Sequence, residues 1–278
     1  MNLDHPLTDL MPLSNTPDEA FAANDTTDFY SAVADHYHLF YRNWEATLDR
    51  EGATLRRPLN AANVRTVLDA SCGTGTQSIA LARLGFVVIA TDVSRRMIDR
   101  ARINAARFKV ADKIKFGRYG FLDLGHAFKA GTVFDAVITK GNALPHLLTD
   151  GEISEALHHF FDLLKPGGLL IIGIRDFDFL IEDRPRFIPG QFHDNPEQQH
   201  ILFDIWDWDD GPPITITFNK FMVSGYDTEY TVRKDVVRYR ALRRAELEAM
   251  LTEAGFVDLK VEQQHWELVF TANRPNPT

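Results

Sequence analysis

The chain has a single cysteine, Cys72, in 278 residues. No intrachain disulfide can form, which fits a reducing compartment. Nor is there an apolar run near the ~18 residues that a membrane helix needs. Residues 1–28 mix acidic and polar side chains and lack the apolar segment of a secretory leader. Zinc-type Cys/His spacing is missing too: His158 and His159 are adjacent, so on a helix they project to different sides. Positive charge is scarce, with 30 Lys and Arg against 39 Asp and Glu and a formal net charge of −9. Phosphate backbones need a basic face, and the short clusters Arg95-Arg96 and Arg233-Lys234 read as solvated surfaces. No repeat of solenoid length is present. These absences lead us to expect a cytoplasmic, soluble protein with no metal, no membrane contact and no nucleic-acid partner.

What is present suffices for a core. Apolar residues make up 45% and charged residues 25% of the chain, ordinary for one large domain or one domain with an elaboration. Residues 1–25 carry Pro, Asn, Asp and Thr without a period, as an arm or a disordered segment does. From Asp28 the aromatic residues Phe29, Tyr30, Val33, Tyr37, Phe40, Tyr41 and Trp44 follow helical spacing. They read as a packing face or as a lid. Strands are expected near 65–70, 86–91, 113–118, 134–138 and 168–174, with helices near 75–84, 94–108 and 150–164. That alternation implies a parallel sheet with crossover helices. Lys165-Pro166-Gly167-Gly168 reads as the turn that ends the last of these helices. The prolines at 185, 189, 196, 212 and 213 then interrupt the pattern. Three antiparallel strands are expected there, at Ile201–Trp208, Ile214–Val223 and Tyr226–Arg240, with turns at Asp209-Asp210-Gly211 and Ser224-Gly225. A helix over Arg243–Ala254, closed by Gly255, and two edge strands, Phe256–Glu262 and Trp266–Ala272, complete the chain.

The most informative stretch is Val67-Leu68-Asp69-Ala70-Ser71-Cys72-Gly73-Thr74-Gly75-Thr76-Gln77. A buried strand runs into a glycine turn and then a helix, and Gly73 and Gly75 can take positive φ and let a ligand approach bare backbone. Asp92 ends the next apolar run, Phe86-Val87-Val88-Ile89-Ala90-Thr91. A carboxylate there can accept from both hydroxyls of a ribose. The turn lacks the third glycine of the dinucleotide fingerprint and the Lys-Ser or Lys-Thr of a P-loop.

The D-x-x-C-G-T-G-T segment resembles the first motif of class I S-adenosylmethionine-dependent methyltransferases. Two further segments resemble the glycine and sarcosine N-methyltransferase group: Lys140-Gly141-Asn142-Ala143-Leu144-Pro145-His146-Leu147, and Gly173-Ile174-Arg175-Asp176-Phe177-Asp178-Phe179. The likeness spans roughly residues 28–180 and fades over 181–240. Ala143, Leu144 and Ile174 depart from the group, where Ser, Phe and His are usual.

The resemblance implies an α/β fold, a Rossmann-like seven-stranded methyltransferase sheet with an antiparallel β insertion and an N-terminal helical lid. Its implied boundaries are a flexible arm over 1–27, the lid over 28–64, the cofactor-binding core over 65–175, the substrate-side insertion over 176–240 and the C-terminal helix and edge strands over 241–278. The implied cofactor is S-adenosyl-L-methionine. Its implied contacts are Tyr30, Tyr37 and Trp44 from the lid, Asp69, Ala70, Gly73, Thr74 and Gly75 from the first loop, and Asp92, Val93 and Met97 from the second. Gly120, Phe121 and Leu122 flank the adenine, Lys140 and Gly141 join Asn142 near the sulfonium, and His146 sits near the lid against the cofactor backbone or substrate, with a helix-capping or surface histidine as its competing reading. Asn142, Arg175 and Tyr30 are the implied catalytic set, with Arg175 clamping a substrate carboxylate; the competing reading of Arg175 is an ion pair with Asp176, Asp178 or Asp183.

The expected reaction is methyl transfer to the amine of a small carboxylate-bearing, amino-acid-like molecule. The alternatives are a secondary-metabolite O- or N-methyltransferase, an intramolecular cyclase of S-adenosylmethionine that releases methylthioadenosine, and a non-catalytic sensor. Lys140-Gly141-Asn142-Ala143 stands where amino methylation of nucleic-acid bases uses N/D-P-P-Y/F. The group often forms tetramers whose N-terminal arms close neighbouring sites, a homo-oligomer role open to residues 1–25.

Overall fold

The computed structural model describes residues 25–277. The expected arm over 1–27 therefore falls almost entirely outside the described residues. Strands β1 (Thr66–Asp69), β2 (Val87–Asp92), β3 (Ile114–Arg118), β4 (Phe134–Thr139) and β5 (Leu164–Arg175) run parallel. A second, four-stranded antiparallel sheet follows, made of β6 (Phe187–Asp194), β7 (Gln199–Asp209), β8 (Thr215–Tyr226) and β9 (Glu229–Arg240) in that order. The hairpin β10 (Val257–Gln264) and β11 (Glu267–Asn273) then returns to the first sheet, where β11 lies antiparallel to β5. The seven-stranded order is β10-β11-β5-β4-β1-β2-β3. The chain thus reverses direction across the sheet between β1 and β4, and a crevice opens at the carboxyl ends of those strands.

The helices are α1 (Asp25–Val33), α2 (Trp44–Ala61), α3 (Thr76–Arg83), α4 (Arg95–Arg107), α5 (Leu124–Ala127), α6 (Asp150–Leu163), α7 (Phe177–Asp183) and α8 (Arg244–Glu253). Both faces of the large sheet are covered, because neighbouring residues of one strand enter different cores. Leu68, Val137 and Leu170 pack with α6 and α8, whereas Val67, Ile138 and Ile171 pack with α2, α3 and α4. Such double burial explains why these strands read as continuous apolar runs. A third core joins α1 to the inner face of the small sheet through Phe29, Val33, Trp206, Phe218, Val237 and Tyr239.

Four local expectations change. The aromatic helix expected from Asp28 is broken into α1, a 3-10 turn over Tyr37–Phe40, and α2, whose first turn is capped by Asn43 accepting from Ala46 N at 3.0 Å. α1 and that turn line the crevice, whereas α2 buries Leu48, Leu55 and Leu59 over the sheet and reaches the crevice floor through Glu51. The insertion has four strands, not three. β6 reads as loop because of its Pro189, yet β6 is an edge strand, where a missing N–H is harmless. The hairpin turn falls at Asp227-Thr228, with Asp227 at φ 54°, and not at Ser224-Gly225. Gly225 stays in the strand because a Cβ there would stand 2.1 Å from Glu229 O. Finally, the Lys165–Gly168 turn is absorbed into β5 as an irregularity between the pairs Phe134↔Leu164 and Ala136↔Leu169, with Gly167 at φ 74°.

Asp135 ties the amino ends of the central strands together. Its Oδ2 accepts from Arg65 N at 2.9 Å and Thr66 N at 2.8 Å, and Lys165 Nζ lies 2.6 Å from its Oδ1. Burial alone would raise this carboxyl, but Lys165 and the two amides outweigh it and bring it to about 2. Its folded value lies below its unfolded one, so its stabilisation is present above about pH 4 and is lost as pH falls towards 2. Asp135→Ala is expected to cost about 1–2 kcal/mol at pH 7, with solvent screening of the Lys165 pair keeping it in that range. In urea titrations the gap between variant and parent should close between pH 4 and pH 2.

Candidate active site

The loop after β1 follows from two glycines with different tasks. Gly73 has φ 53°, and a Cβ built there meets nothing within 4 Å, so its bare face opens into the crevice. Gly75 has φ 94° and caps α3, and a Cβ there would press on Ile79 at 3.1 Å and Ala101 at 3.4 Å. Gly75 is thus a packing glycine between α3 and α4.

Asp92 locks this loop to the end of β2. Its Oδ2 accepts from Gly73 N and its Oδ1 from Ser94 N, both at 2.9 Å. Each oxygen keeps a lone pair for a ligand hydroxyl. Burial raises its carboxyl to about 6 against the pull of the two amides. Asp69 behaves differently. It is buried under the loop and accepts from Ser78 Oγ at 2.6 Å, and burial raises it to about 7.

A cavity of about 360 Å³ opens above these groups, within the size range of small-molecule sites. Of the expected cofactor contacts it is lined by Tyr30, Tyr37, Ala70, Gly73, Asp92 and Val93, then by Gly120, Phe121, Leu122, Lys140, Gly141 and His146. Five expected contacts lie off it. Asp69 is turned onto Ser78, and Gly75 backs the loop. Thr74 is buried and faces the outer side of the loop. Trp44 donates from its indole nitrogen to Thr76 Oγ1 at 2.9 Å and so braces α2 against α3. Met97 is fully buried in the third core. Tyr41, Asp123 and Glu152 also line the cavity; none was among the expected cofactor contacts, although Tyr41 belongs to the aromatic run read as a packing face or a lid. Asp123 was the most accessible of them to sequence reading, because it closes the turn by accepting from Gly120 N at 2.9 Å.

The cavity roof is aromatic. Tyr30 lies 6.2 Å from Tyr37 and 5.3 Å from His146, ring to ring. His146 Nδ1 is 3.2 Å from Arg238 O and its Nε2 is 2.8 Å from the Tyr30 hydroxyl. A carbonyl only accepts, so Nδ1 carries the proton and Nε2 accepts from Tyr30. Burial pushes His146 down to about 4 and pushes Tyr30 and Tyr37 well above 10. All three rings are therefore neutral near pH 7.

On the floor, Lys140 Nζ sits 2.7 Å from Glu51 and 3.2 Å from Glu267. Glu267 also accepts from Gly141 N at 2.7 Å, and burial raises its carboxyl. Gly173 leaves the room for this carboxylate, since a Cβ there would stand 2.9 Å from Glu267 Oε1. Burial opposes the charge on Lys140, but the two glutamates outweigh it and its net shift is upward.

Asn142 and Arg175 are brought together beside the cavity, not in its lining. Asn142 has φ 64°, and its Oδ1 accepts from Arg175 N at 2.9 Å. Its Nδ2 has no partner, nor has the buried Nε of Arg175. The Arg175 guanidinium carbon lies 5.4 Å from the Trp206 ring, 5.8 Å from Phe218 and 5.0 Å from Trp266, distances at which a cation is attracted to a ring face. Among the described residues no carboxylate forms an ion pair with it. Asp176 instead caps α7, and Asp178 accepts from Arg244 N at 3.1 Å. Between Arg175 and the cavity stands a chain of rings, with His146 4.2 Å from Tyr239 and Tyr239 5.4 Å from Phe218.

The family described as a methyltransferase domain matches residues 67–168. Over 140 residues the chain is 34% identical to a glycine/sarcosine N-methyltransferase of Parasynechococcus marenigrum (strain WH8102), covering 50% of this chain and 48% of that protein. It is 38% identical over 122 residues to a glycine N-methyltransferase of Rattus norvegicus, covering 41% and 42%. The chain thus spans about half the length of the curated relatives it matches. Among solved structures, CalS10, an amino pentose methyltransferase of Micromonospora echinaspora bound to S-adenosylmethionine, superposes with a TM-score of 0.69 at 20% identity, covering 87% of this chain and 96% of that one.

The residues fit an adenosyl ligand: the anchored Asp92 offers free lone pairs to a ribose, and Gly73 presents open backbone beside it. Asp92 must be ionised to accept from both hydroxyls. Calorimetric affinity for S-adenosylmethionine is expected to fall by up to ~10-fold per unit as pH drops below about 6. Asp92→Asn should bind more weakly at pH 7 and lose that slope; a parent affinity that stays flat from pH 7 to pH 5 contradicts this role. Fold, cavity and domain match together show that this chain carries a class I S-adenosylmethionine-dependent methyltransferase domain.

Proposed function

We propose that the protein transfers a methyl group from S-adenosylmethionine to the amine of a small, carboxylate-bearing, amino-acid-like acceptor. The observation that carries this reading is Arg175, which ends β5 at the ligand edge of the sheet with an unpartnered buried Nε and no carboxylate of its own. A guanidinium keeps its charge at any working pH and grips a carboxylate through two parallel N–H donors. Asn142, held against the Arg175 backbone, adds the free Nδ2 donor. The names of the relatives at 34% and 38% identity agree with this chemistry.

The cofactor supplies an electrophilic methyl group on a sulfonium, an already good leaving group. The protein's part is therefore alignment and exclusion of water. Asp92 fixes the nucleoside end, and the Tyr30 and Tyr37 hydroxyls present oxygen atoms at the roof. Tyr30 hydrogen-bonds both His146 Nε2 and Tyr239, which holds its hydroxyl in place at the roof. With His146 lowered to about 4, neither it nor the high-pKa tyrosines is a strong base near neutrality. The acceptor amine therefore reacts in its neutral form after losing its proton to water. Arg175 lies behind the Tyr30–His146–Tyr239 rings, so an acceptor that reaches it from the cavity displaces them, and α1 carries the first of them.

Product analysis tests the reading. With glycine or sarcosine present, adenosylhomocysteine and the methylated amine are expected; methylthioadenosine from the cofactor alone would signify cyclisation instead. Arg175→Ala is expected to raise KM for the acceptor roughly 10- to 100-fold while cofactor affinity changes less than about twofold. Parallel loss of both would make Arg175 a structural residue.

A further inference from the structure

Beside Arg175, the inner face of the small sheet carries a second charged feature. Asp204 of β7 and Lys220 of β8 are register partners, and Lys220 Nζ lies 2.6 Å from Asp204 Oδ1. Both side chains are buried, at 7% and 11% exposed. The next pair on the same face of these strands is Trp206 and Phe218, the rings that flank Arg175. Trp206 is 2% exposed and its Nε1 has no partner. Arg175 Nε, Trp206 Nε1 and Asn142 Nδ2 are thus three buried N–H donors without acceptors, on Arg175 and on two residues that contact it. Buried donors are paired in native structures, and a carboxylate with its four lone-pair sites can serve all three.

Formal charge narrows the ligand further. Arg175 and Lys220 are cations and Asp204 is an anion. At the adjoining register position Asp235 is neutralised by Arg233 at 2.8 Å. Glu267, whose backbone pairs with Arg175, has its carboxylate committed to Gly141 and Lys140. Tyr239 and His146 are neutral there. The pocket therefore holds one uncompensated positive charge, and burying such a charge is costly until a ligand neutralises it.

We propose that the Asp204–Lys220 pair sets the acceptor pocket at one net positive charge, so that it selects acceptors with a single carboxylate and a neutral amine, with Trp206 Nε1 as a donor to that carboxylate. This rests on Arg175 being the acceptor clamp. Glycine and sarcosine balance the pocket, aspartate overshoots by one negative charge, and ethanolamine leaves the positive charge bare.

A charge cycle tests the proposal. Asp204→Asn makes the pocket doubly positive, and the ratio of kcat/KM for aspartate over glycine is expected to rise at least ~10-fold. Lys220→Met makes it neutral, and the ratio for ethanolamine over glycine is expected to rise by a similar factor. The double variant D204N/K220M restores one positive charge and should return both ratios to within about threefold of the parent. Trp206→Phe keeps a ring and removes the donor; it should weaken glycine binding roughly 5- to 10-fold, measured by calorimetry with S-adenosylhomocysteine present, and leave cofactor affinity unchanged. Unmoved ratios in both single variants, or a double variant that does not return towards the parent, overturn the proposal even where Arg175→Ala still raises KM. If no acceptor is methylated and Arg175→Ala alters no binding, the proposed function itself falls.

Discussion

One carboxylate organises the site. Asp92 closes β2 and reaches across to Gly73, so the loop after β1 and the loop after β2 hold a fixed relation. Without those two amide bonds the glycine turn would be free to sample the many conformations glycine allows. The cost is a buried negative charge, visible as the rise of its carboxyl to about 6. A polar group carried at that cost in a crevice is characteristic of sites built for a ligand. The rest of the cavity is arranged round that anchor: backbone of the first loop on one side, Gly120 to Leu122 on the other, tyrosines above.

Charge is distributed unevenly between the two halves. The cofactor floor has Glu51 and Glu267 around the single cation Lys140. The pocket at Arg175 has two cations, Arg175 and Lys220, around the single anion Asp204. The two halves therefore present fields of opposite sign within a low-dielectric interior. The two sets lie side by side, since Glu267 and Arg175 are register partners on β11 and β5 whose side chains take different partners.

Much of the sheet was legible because its strands are buried on both faces. Val67-Leu68 and Ile171-Ile172 are apolar on either side, so the runs stand out without any knowledge of partners. The Gly73 turn and Asp92 were legible for a related reason: a strand-ending acid and a side-chain-free turn have few other uses. The roles of Gly75, Thr74, Trp44 and Met97 were not, because a residue next to a ligand loop in sequence can face the core or the outer surface equally well. Only the packing of Gly75 on Ile79 and Ala101, and of Trp44 on Thr76, separates those cases. β6 was hidden by Pro189, whose missing donor is neutral at a sheet edge and disruptive inside one.

The sequence by itself determined the layered α/β plan, the glycine turn with its strand-ending carboxylate and the position of Arg175 at the end of β5. Each depends on local chemistry: apolar periodicity, glycine at positive φ, or a charged residue at a strand terminus. Tertiary structure alone decided what Arg175 faces. Trp206, Phe218 and the Asp204–Lys220 pair come from strands more than 25 residues further along the chain, and their inward side depends on the register of β7 with β8. A shift of one residue would turn the two side chains of one strand away from those of the other, and no local pattern in the chain specifies which face meets Arg175.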